Sequence, residues 1–227
     1  MEQKMDDELK QHVLKTGTTT VGIVCKDGVI LAADRRASYG GEGGVSYIAG
    51  DHLKVHSVDD RIIVTTAGVA SDTRKVIKLT QAELRLKELK TKKRPTIKEV
   101  ANLFSTIVYQ NIRQYSPIMA ITHFLLAGYD ETGVYLYDIS PDGFLEKVEN
   151  YQATGSGMMQ SHPILDSDFK ENMSMEDGIK LAKRCINAST KRDPASGEGI
   201  DVYFVTKDSV KQVLKQEIVR DFRDKKE

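Results

Sequence analysis

Cysteine is scarce in this sequence: two in 227 residues, Cys25 and Cys185, at neither a metal-site nor a redox-motif spacing. That count excludes a secreted scaffold of disulfide-stapled loops and suits a reducing compartment. There is also no surplus of either charge, since 33 Lys and Arg balance 33 Asp and Glu, and a general polyanion binder or an acidic tail is excluded with it. The one basic run, KELKTKKR from Lys87 to Arg94, falls where a helix should end, and cations there meet terminal carbonyls rather than nucleic acid. No apolar run approaches the length of a membrane span. Residues 1–17, MEQKMDDELKQHVLKTG, lack the apolar core of a secretory signal. The five histidines are scattered, and His52 and His56, four residues apart in a strand, cannot share one metal. The expectation is a soluble, cytoplasmic protein with no metal, no cofactor, and neither nucleic acid nor membrane as partner.

What is present is ordinary for a globular chain: 40% hydrophobic and 29% charged residues, enough for one domain with a sizeable core. TTTVGIVC and VILAADRR are β-rich runs joined through Lys26-Asp27-Gly28, and Asp-Gly predicts a two-residue hairpin turn. With Asp27 and Gly28 as the turn, Lys26 faces Val29, Val21 faces Asp34 and Thr18 faces Ala37. That register brings DRRAS back to the end where Thr18 begins, but sets Asp34 on the opposite face. The Gly-rich YGGEGG at 39–44 reads as a mobile loop. Strands at 53–58 and 61–66 precede a helix over 71–89. A second helix opens at the capping box Thr96-x-x-Glu99, with Val100, Leu103, Phe104, Ile107 and Val108 on one face. Strands at 121–128, 134–139 and 144–151 follow. Then come a helix near 157–168, another from the Ser174-x-x-Asp177 cap to about Thr190, and closing strands at 199–205 and 210–215. Blocks of strands separated by helix pairs predict layered α+β, a four-layer αββα sandwich, rather than an alternating parallel sheet.

A threonine hydroxyl is a poor nucleophile unless a base lies beside it. A threonine at a chain terminus carries its own, because the α-amine, which titrates near pH ~8, reaches its own Oγ. A nascent chain starts with methionine, so such an enzyme needs a removable leader ending at the threonine. The Gly17-Thr18 junction, at the mouth of a strand and behind a charged leader, has that form. β-branched threonines also simply favour strands, and the triplet by itself leaves both readings open.

TGTTTVGIVCKDGVILAADRRAS, LKVHSV, TTAGVASD, ATGSG and KRDPASGEGIDV together resemble, in order and spacing, the catalytic β subunit of the 20S proteasome, of the archaeal type in which one β subunit fills the ring. The likeness runs from Thr18 to at least Val205. It implies the N-terminal nucleophile hydrolase fold, a removable propeptide over 1–17 and a catalytic domain over 18–227. It further implies a threonine endopeptidase that needs no cofactor. Thr18 is then the nucleophile, released by self-cleavage after Gly17, where glycine would tolerate a strained backbone. Asp34 and Lys54 correspond to an acid–lysine pair beside the nucleophile; the hairpin register, which sets Asp34 and Thr18 on opposite faces, is in tension with this and would require Lys54 to bridge them. Gly68 corresponds to the oxyanion-hole N–H, and Ser156, Asp193 and Ser196 to the polar group around the α-amine. Ser156 also suits a helix N-cap. His56, Thr66 and Ala70 correspond to the pocket for a substrate side chain. Ala37 and Ser38 correspond to the segment along which an extended peptide adds as a strand.

The implied partners are identical β subunits in a ring of seven, α-type subunits, a regulatory ATPase and unfolded polypeptides as substrate. Two features depart from the pattern: the loop before Lys54 is longer by part of GGEGGVSYIAG, and polar Thr66 stands where relatives often carry a larger apolar residue. The cleavage preference therefore stays open. The competing reading keeps the fold and drops the chemistry, as a non-catalytic ring subunit. A simpler bacterial relative fits less well, since it lacks a comparable leader and the RDPASG spacing.

Overall fold

A computed structural model describes residues 14–39, 47–116 and 119–218, with backbone alone at 14–16, 39 and 47. The strands are β1 (Leu14–Thr16), β2 (Thr20–Cys25), β3 (Gly28–Asp34), β4 (Arg36–Tyr39), β5 (Tyr47–Asp51), β6 (Val55–Ser57), β7 (Ile62–Val69), β8 (Thr122–Asp130), β9 (Gly133–Ile139), β10 (Leu145–Lys147), β11 (Tyr151–Thr154), β12 (Gly199–Val205) and β13 (Val210–Glu217). The helices are α1 (Ala70–Thr91), α2 (Ile97–Ile112), α3 (Met158–Asp168) and α4 (Met175–Arg192). The leader residues 1–13 and most of the Gly-rich stretch, 40–46, lie outside the described residues.

The strands form two antiparallel sheets. One runs in the order β10-β9-β8-β7-β1-β4-β5, with β6 also on β7; the other is β11-β2-β3-β12-β13. Alternation along each strand sends one set of side chains between the sheets and the other outward. Val29, Leu31, Ile63, Leu125 and Ala127 fill the space between the sheets. The outer face of the larger sheet packs Ile62, Val64, Phe124 and Ile139 against Val76, Val100 and Phe104 of α1 and α2. On the other side Val21, Ile23, Ile30 and Val202 pack against Leu165, Leu181 and Ile186 of α3 and α4. Three apolar layers between four layers of backbone make the expected αββα sandwich.

The helix starts are set locally. Thr96 accepts from the Glu99 N–H at 3.3 Å while the Glu99 carboxylate accepts from the Thr96 N–H at 2.8 Å. Ser174 accepts from the Asp177 N–H at 3.2 Å. The basic run ends α1 as anticipated, with Lys92 left-handed (φ 58°) and its N–H donated to the Glu88 carbonyl. No helix among the described residues is long and apolar enough to cross a membrane.

The hairpin differs from expectation. Cys25 faces Gly28 and Val21 faces Ala32, so Lys26 and Asp27 form the turn and every pair shifts by two residues. Gly28 is needed elsewhere: a Cβ there would lie 2.1 Å from the Val205 carbonyl of β12. Thr18 does not face Ala37, because β2 starts at Thr20 and the chain crosses at Arg35 into the other sheet as β4. The single strand expected over 144–151 is two, β10 and β11, in different sheets. Strands β1, β4 and β5 had no counterpart in the sequence reading. β1 is only three residues long and is held by its neighbours on both sides.

Phe104 is fully buried, edge-on to Phe124 with ring centroids 5.4 Å apart. Phe104→Ala is expected to lower the unfolding free energy by about 3–5 kcal/mol, read from urea denaturation; a loss below about 1 kcal/mol would contradict this packing.

Candidate active site

Lys54 is wholly buried, an expensive place for an ammonium unless it is paired. Its Nζ donates to Asp34 Oδ1 at 2.8 Å and to the Gly17 carbonyl at 2.6 Å. Asp34, at the end of β3, is equally buried and accepts from three backbone N–H groups: Thr19 at 2.8 Å, Arg36 at 3.0 Å and Gly197 at 2.8 Å. Its lone pairs are thus filled, which is the condition for keeping such a pair out of water. Burial pulls the Lys54 pKa below its ordinary value, and the Asp34 charge pushes back. A cationic donor on the Gly17 carbonyl polarises the peptide bond between Gly17 and Thr18.

On the other side of that bond, the Thr18 N–H donates to Ser156 Oγ at 3.2 Å. Ser156 passes its own proton to Asp193 Oδ2 at 2.7 Å, and Ser196 donates to the same oxygen at 2.7 Å. With its proton spent there, Ser196 must accept from Thr19 Oγ1, 2.7 Å away. Asp193 ends α4 and is directed by the Ala195 N–H at 3.0 Å. Thr18 itself is fully buried, and its carbonyl accepts from Gly157 N–H at 3.2 Å. This chain of hydroxyls running to one carboxylate can hold a nitrogen at residue 18 and carry a proton from it.

The backbone of residues 14–16 lies as a strand between β4 and β7. Lys15 faces Ser38 on one side and Val69 on the other, and Thr16 faces Gly68. Ala37 and Ser38 therefore lie on the strand that borders the segment leading into Gly17. Gly68 has φ 117°, and a Cβ there would lie 2.1 Å from the Ile121 carbonyl, so conformation and space both demand glycine. Thr66 sits beside Lys54, both its N–H (2.9 Å) and its Oγ1 (3.4 Å) reaching the Lys54 carbonyl. His56 faces Val64 in the β6–β7 ladder, and Ala70 opens α1. Among the described residues no group of His, Cys, Asp and Glu is arranged to hold a metal.

This constellation can be set beside known proteins. A profile of the family described as "Proteasome subunit" matches residues 14–205. "Proteasome subunit beta" of Methanosarcina mazei is 36% identical over 203 residues, covering 89% of this chain and 92% of that protein. "Proteasome subunit beta" of Archaeoglobus profundus is 36% identical over 213 residues, covering 93% and 94%. "Proteasome subunit beta 2" of Pyrococcus furiosus is 40% identical over 196 residues, covering 86% and 90%. The chain belongs to the proteasome β-subunit family.

Within that β-subunit frame, the seven residues expected at the chemical centre all gather around the Gly17–Thr18 bond or the strand beside it, and two of the expected reasons change. Gly17 is not in the left-handed region; it is glycine because a Cβ would lie 2.0 Å from the Cβ of Ala195. Ser156 does not cap α3, whose N-cap is Gly157 with no side-chain bond. Its hydroxyl is turned to Thr18 and Asp193 instead. The difficulty that Asp34 and Thr18 lie on opposite faces is met by Lys54, whose Nζ spans from Asp34 to the Gly17 carbonyl. The sequence reading missed Thr19, Arg36 and Gly197 as partners of this β-subunit site. Arg36 also donates to the Pro194 carbonyl at 2.7 Å, tethering the 193–197 loop. The only signal for Thr19 was its place in the threonine triplet, which strand propensity explains equally well.

Asp34→Ala would leave a buried ammonium unpaired, and is expected to cost about 3–5 kcal/mol in unfolding free energy, measured in urea at neutral pH. A second expectation concerns acid. Burial first, then the charges of His52 and Arg74, push the His56 imidazole from its ordinary 6.5 down to about 4. Between those values the folded chain binds fewer protons than the unfolded one, so this contribution is present above pH 6.5 and is lost as the pH falls towards 4. His56→Gln should remove up to about 3 kcal/mol of that acid-induced loss, seen as a flatter pH profile of unfolding. An unchanged profile would contradict the burial of this imidazole.

Proposed function

We propose that this protein is the threonine-type endopeptidase subunit of a proteasome core particle, with Thr18 as its nucleophile after self-removal of residues 1–17. The observation that carries the reading is the presentation of one peptide bond. A short strand seated between β4 and β7 leads into Gly17, whose carbonyl rests on Lys54, while the adjoining N–H of Thr18 rests on Ser156 and Asp193.

In the first reaction the Thr18 hydroxyl oxygen adds to the Gly17 carbonyl carbon, and the C–N bond breaks as the nitrogen takes up a proton. The resulting ester between Gly17 and Thr18 Oγ is hydrolysed by water, leaving a Gly17 carboxylate and a free α-amine on Thr18. That amine then serves as the base. It takes the hydroxyl proton as Oγ attacks the carbonyl of a bound peptide and delivers it to the departing amine. Water hydrolyses the acyl-enzyme to complete the cycle.

Each site residue takes a role from its contacts. Lys54, neutralised by Asp34, favours the neutral form of the nearby amine and steadies the charge developing on the carbonyl oxygen. The Gly68 N–H is the oxyanion donor. Ser156, Asp193 and Ser196 orient the amine. Ala37 and Ser38 pair with the backbone of the incoming peptide, and His56, Thr66 and Ala70 border its side-chain pocket. The partners are identical β subunits in a seven-membered ring, α-type subunits and a gating ATPase in the cytoplasm, with unfolded polypeptides as substrate.

The test is the intact mass of the chain in a particle assembled with an α-type partner. The expected mass lacks residues 1–17, and Thr18→Ala is expected to keep them and to lose peptide hydrolysis at least about a thousandfold while still assembling. A full-length wild-type mass in the finished particle would overturn the reading and leave a non-catalytic ring subunit.

A further inference from the structure

Near Lys54 lies one cation, Arg74, without a matching acid among the described residues, beside two histidines. Thr66 holds the Lys54 carbonyl, and the β6–β7 ladder continues with Val55 facing Thr65 and His56 facing Val64. Alternation along paired strands therefore puts Lys54, His56, Val64 and Thr66 on one face of the sheet. That face is the one α1 covers. α1 opens at Ala70, directly after the Val69 that faces Lys15, and Arg74 follows one turn later on the side of Ala70. His52 is tied in from the other direction, its N–H donating to the Arg35 carbonyl at 2.7 Å. Arg74 is close enough to both imidazoles to depress their protonation, and His52 adds to that effect on His56.

The charges do not balance here. Lys54 is matched by Asp34. Asp51, the one carboxylate acting on His52, is held by Arg35 in a two-pronged pair at 2.6 and 2.7 Å. Arg74 has no carboxylate partner among the described residues. With burial and Arg74 both set against their charge, the two imidazoles are neutral at pH 7; His56 gives its one N–H to the Leu53 carbonyl, which leaves the His52 ring as the donor. An apolar side chain entering here would strip water from Arg74 without replacing it. A basic one would be repelled.

We propose that the pocket bordered by His52, His56, Thr66, Ala70 and Arg74 selects peptides with an acidic residue, Asp or Glu, on the acyl side of the cleaved bond. The carboxylate supplies the counter-charge that Arg74 lacks and accepts from the His52 imidazole, with Thr66 at the floor. Thr66 leaves room for this, where a larger apolar residue would fill the pocket. The proposal deepens the peptidase reading and rests on it.

The test uses the processed particle and three fluorogenic peptides that differ only in Glu, Leu or Lys before the cleaved bond. A small uncharged electrophile, read as a mass increase on the chain beginning at Thr18, reports the nucleophile independently. The Glu peptide is expected to exceed both others in kcat/KM by at least about tenfold. Arg74→Ala should erase that margin and Arg74→Glu should turn it towards Lys, while Arg184→Ala, which removes an exposed cation paired with Asp168 on the opposite helix layer, should leave the order unchanged. A labelled Thr18 with Leu preferred, or with an order indifferent to Arg74→Glu, overturns the acidic selectivity and leaves the peptidase standing. A particle whose Thr18 takes no label and which cleaves none of the peptides overturns the peptidase reading and this proposal together.

Discussion

A lysine with no solvent exposure is tolerable only because Asp34 meets it at 2.8 Å, and much of the surrounding architecture is built to keep Asp34 in place. The carboxylate collects N–H groups from the start of β2, the start of β4 and the 193–197 loop. One side chain thereby ties elements of both sheets and a helix-ending loop to a single point. Without those donors the pair would face a desolvation cost larger than its attraction returns. With them, the free side of the ammonium is aimed at the Gly17 carbonyl. The same interaction thus serves as a structural knot and as the electrostatic pole of the candidate site.

The larger sheet is continuous only because the backbone of 14–16 completes it between β4 and β7. Under the proposed function those residues leave, and the two strands then face one another across a gap one strand wide, with hydrogen-bonding edges that an extended peptide can fill. The leader segment and the substrate would use the same backbone pairing. Side chains then decide which peptides are held, and under the proposed selectivity the unbalanced charge of Arg74 gives that choice a sign.

Much of this was legible in the sequence where the cause is short-range. The capping box at Thr96, the N-cap at Ser174, the apolar face through Val100, Phe104 and Val108, and the strand blocks flanking helix pairs led to the αββα layering. The candidate site residues were named through a resemblance carried by separated motifs, none of which is decisive alone. The misreadings share another origin. Asp-Gly promises a turn, yet Gly28 is claimed by close contact with β12. Ser156 suits a helix cap, yet its hydroxyl is drawn to Asp193. Gly17 suggests backbone strain, yet the constraint is the side chain of Ala195, far along the chain.

The sequence by itself determined the four helices, most of the strands and their order, and the chemical types available near Thr18, because periodicity, capping and turn chemistry act over a few residues. Only the tertiary structure decided the hairpin register, the seating of 14–16 between β4 and β7, and the bridge from Asp34 through Lys54 to Gly17. It also decided that Arg74 lies near enough to His52 and His56 to oppose their protonation. Those features depend on which distant segments come into contact, and on the need of every buried charge and donor to find a partner there.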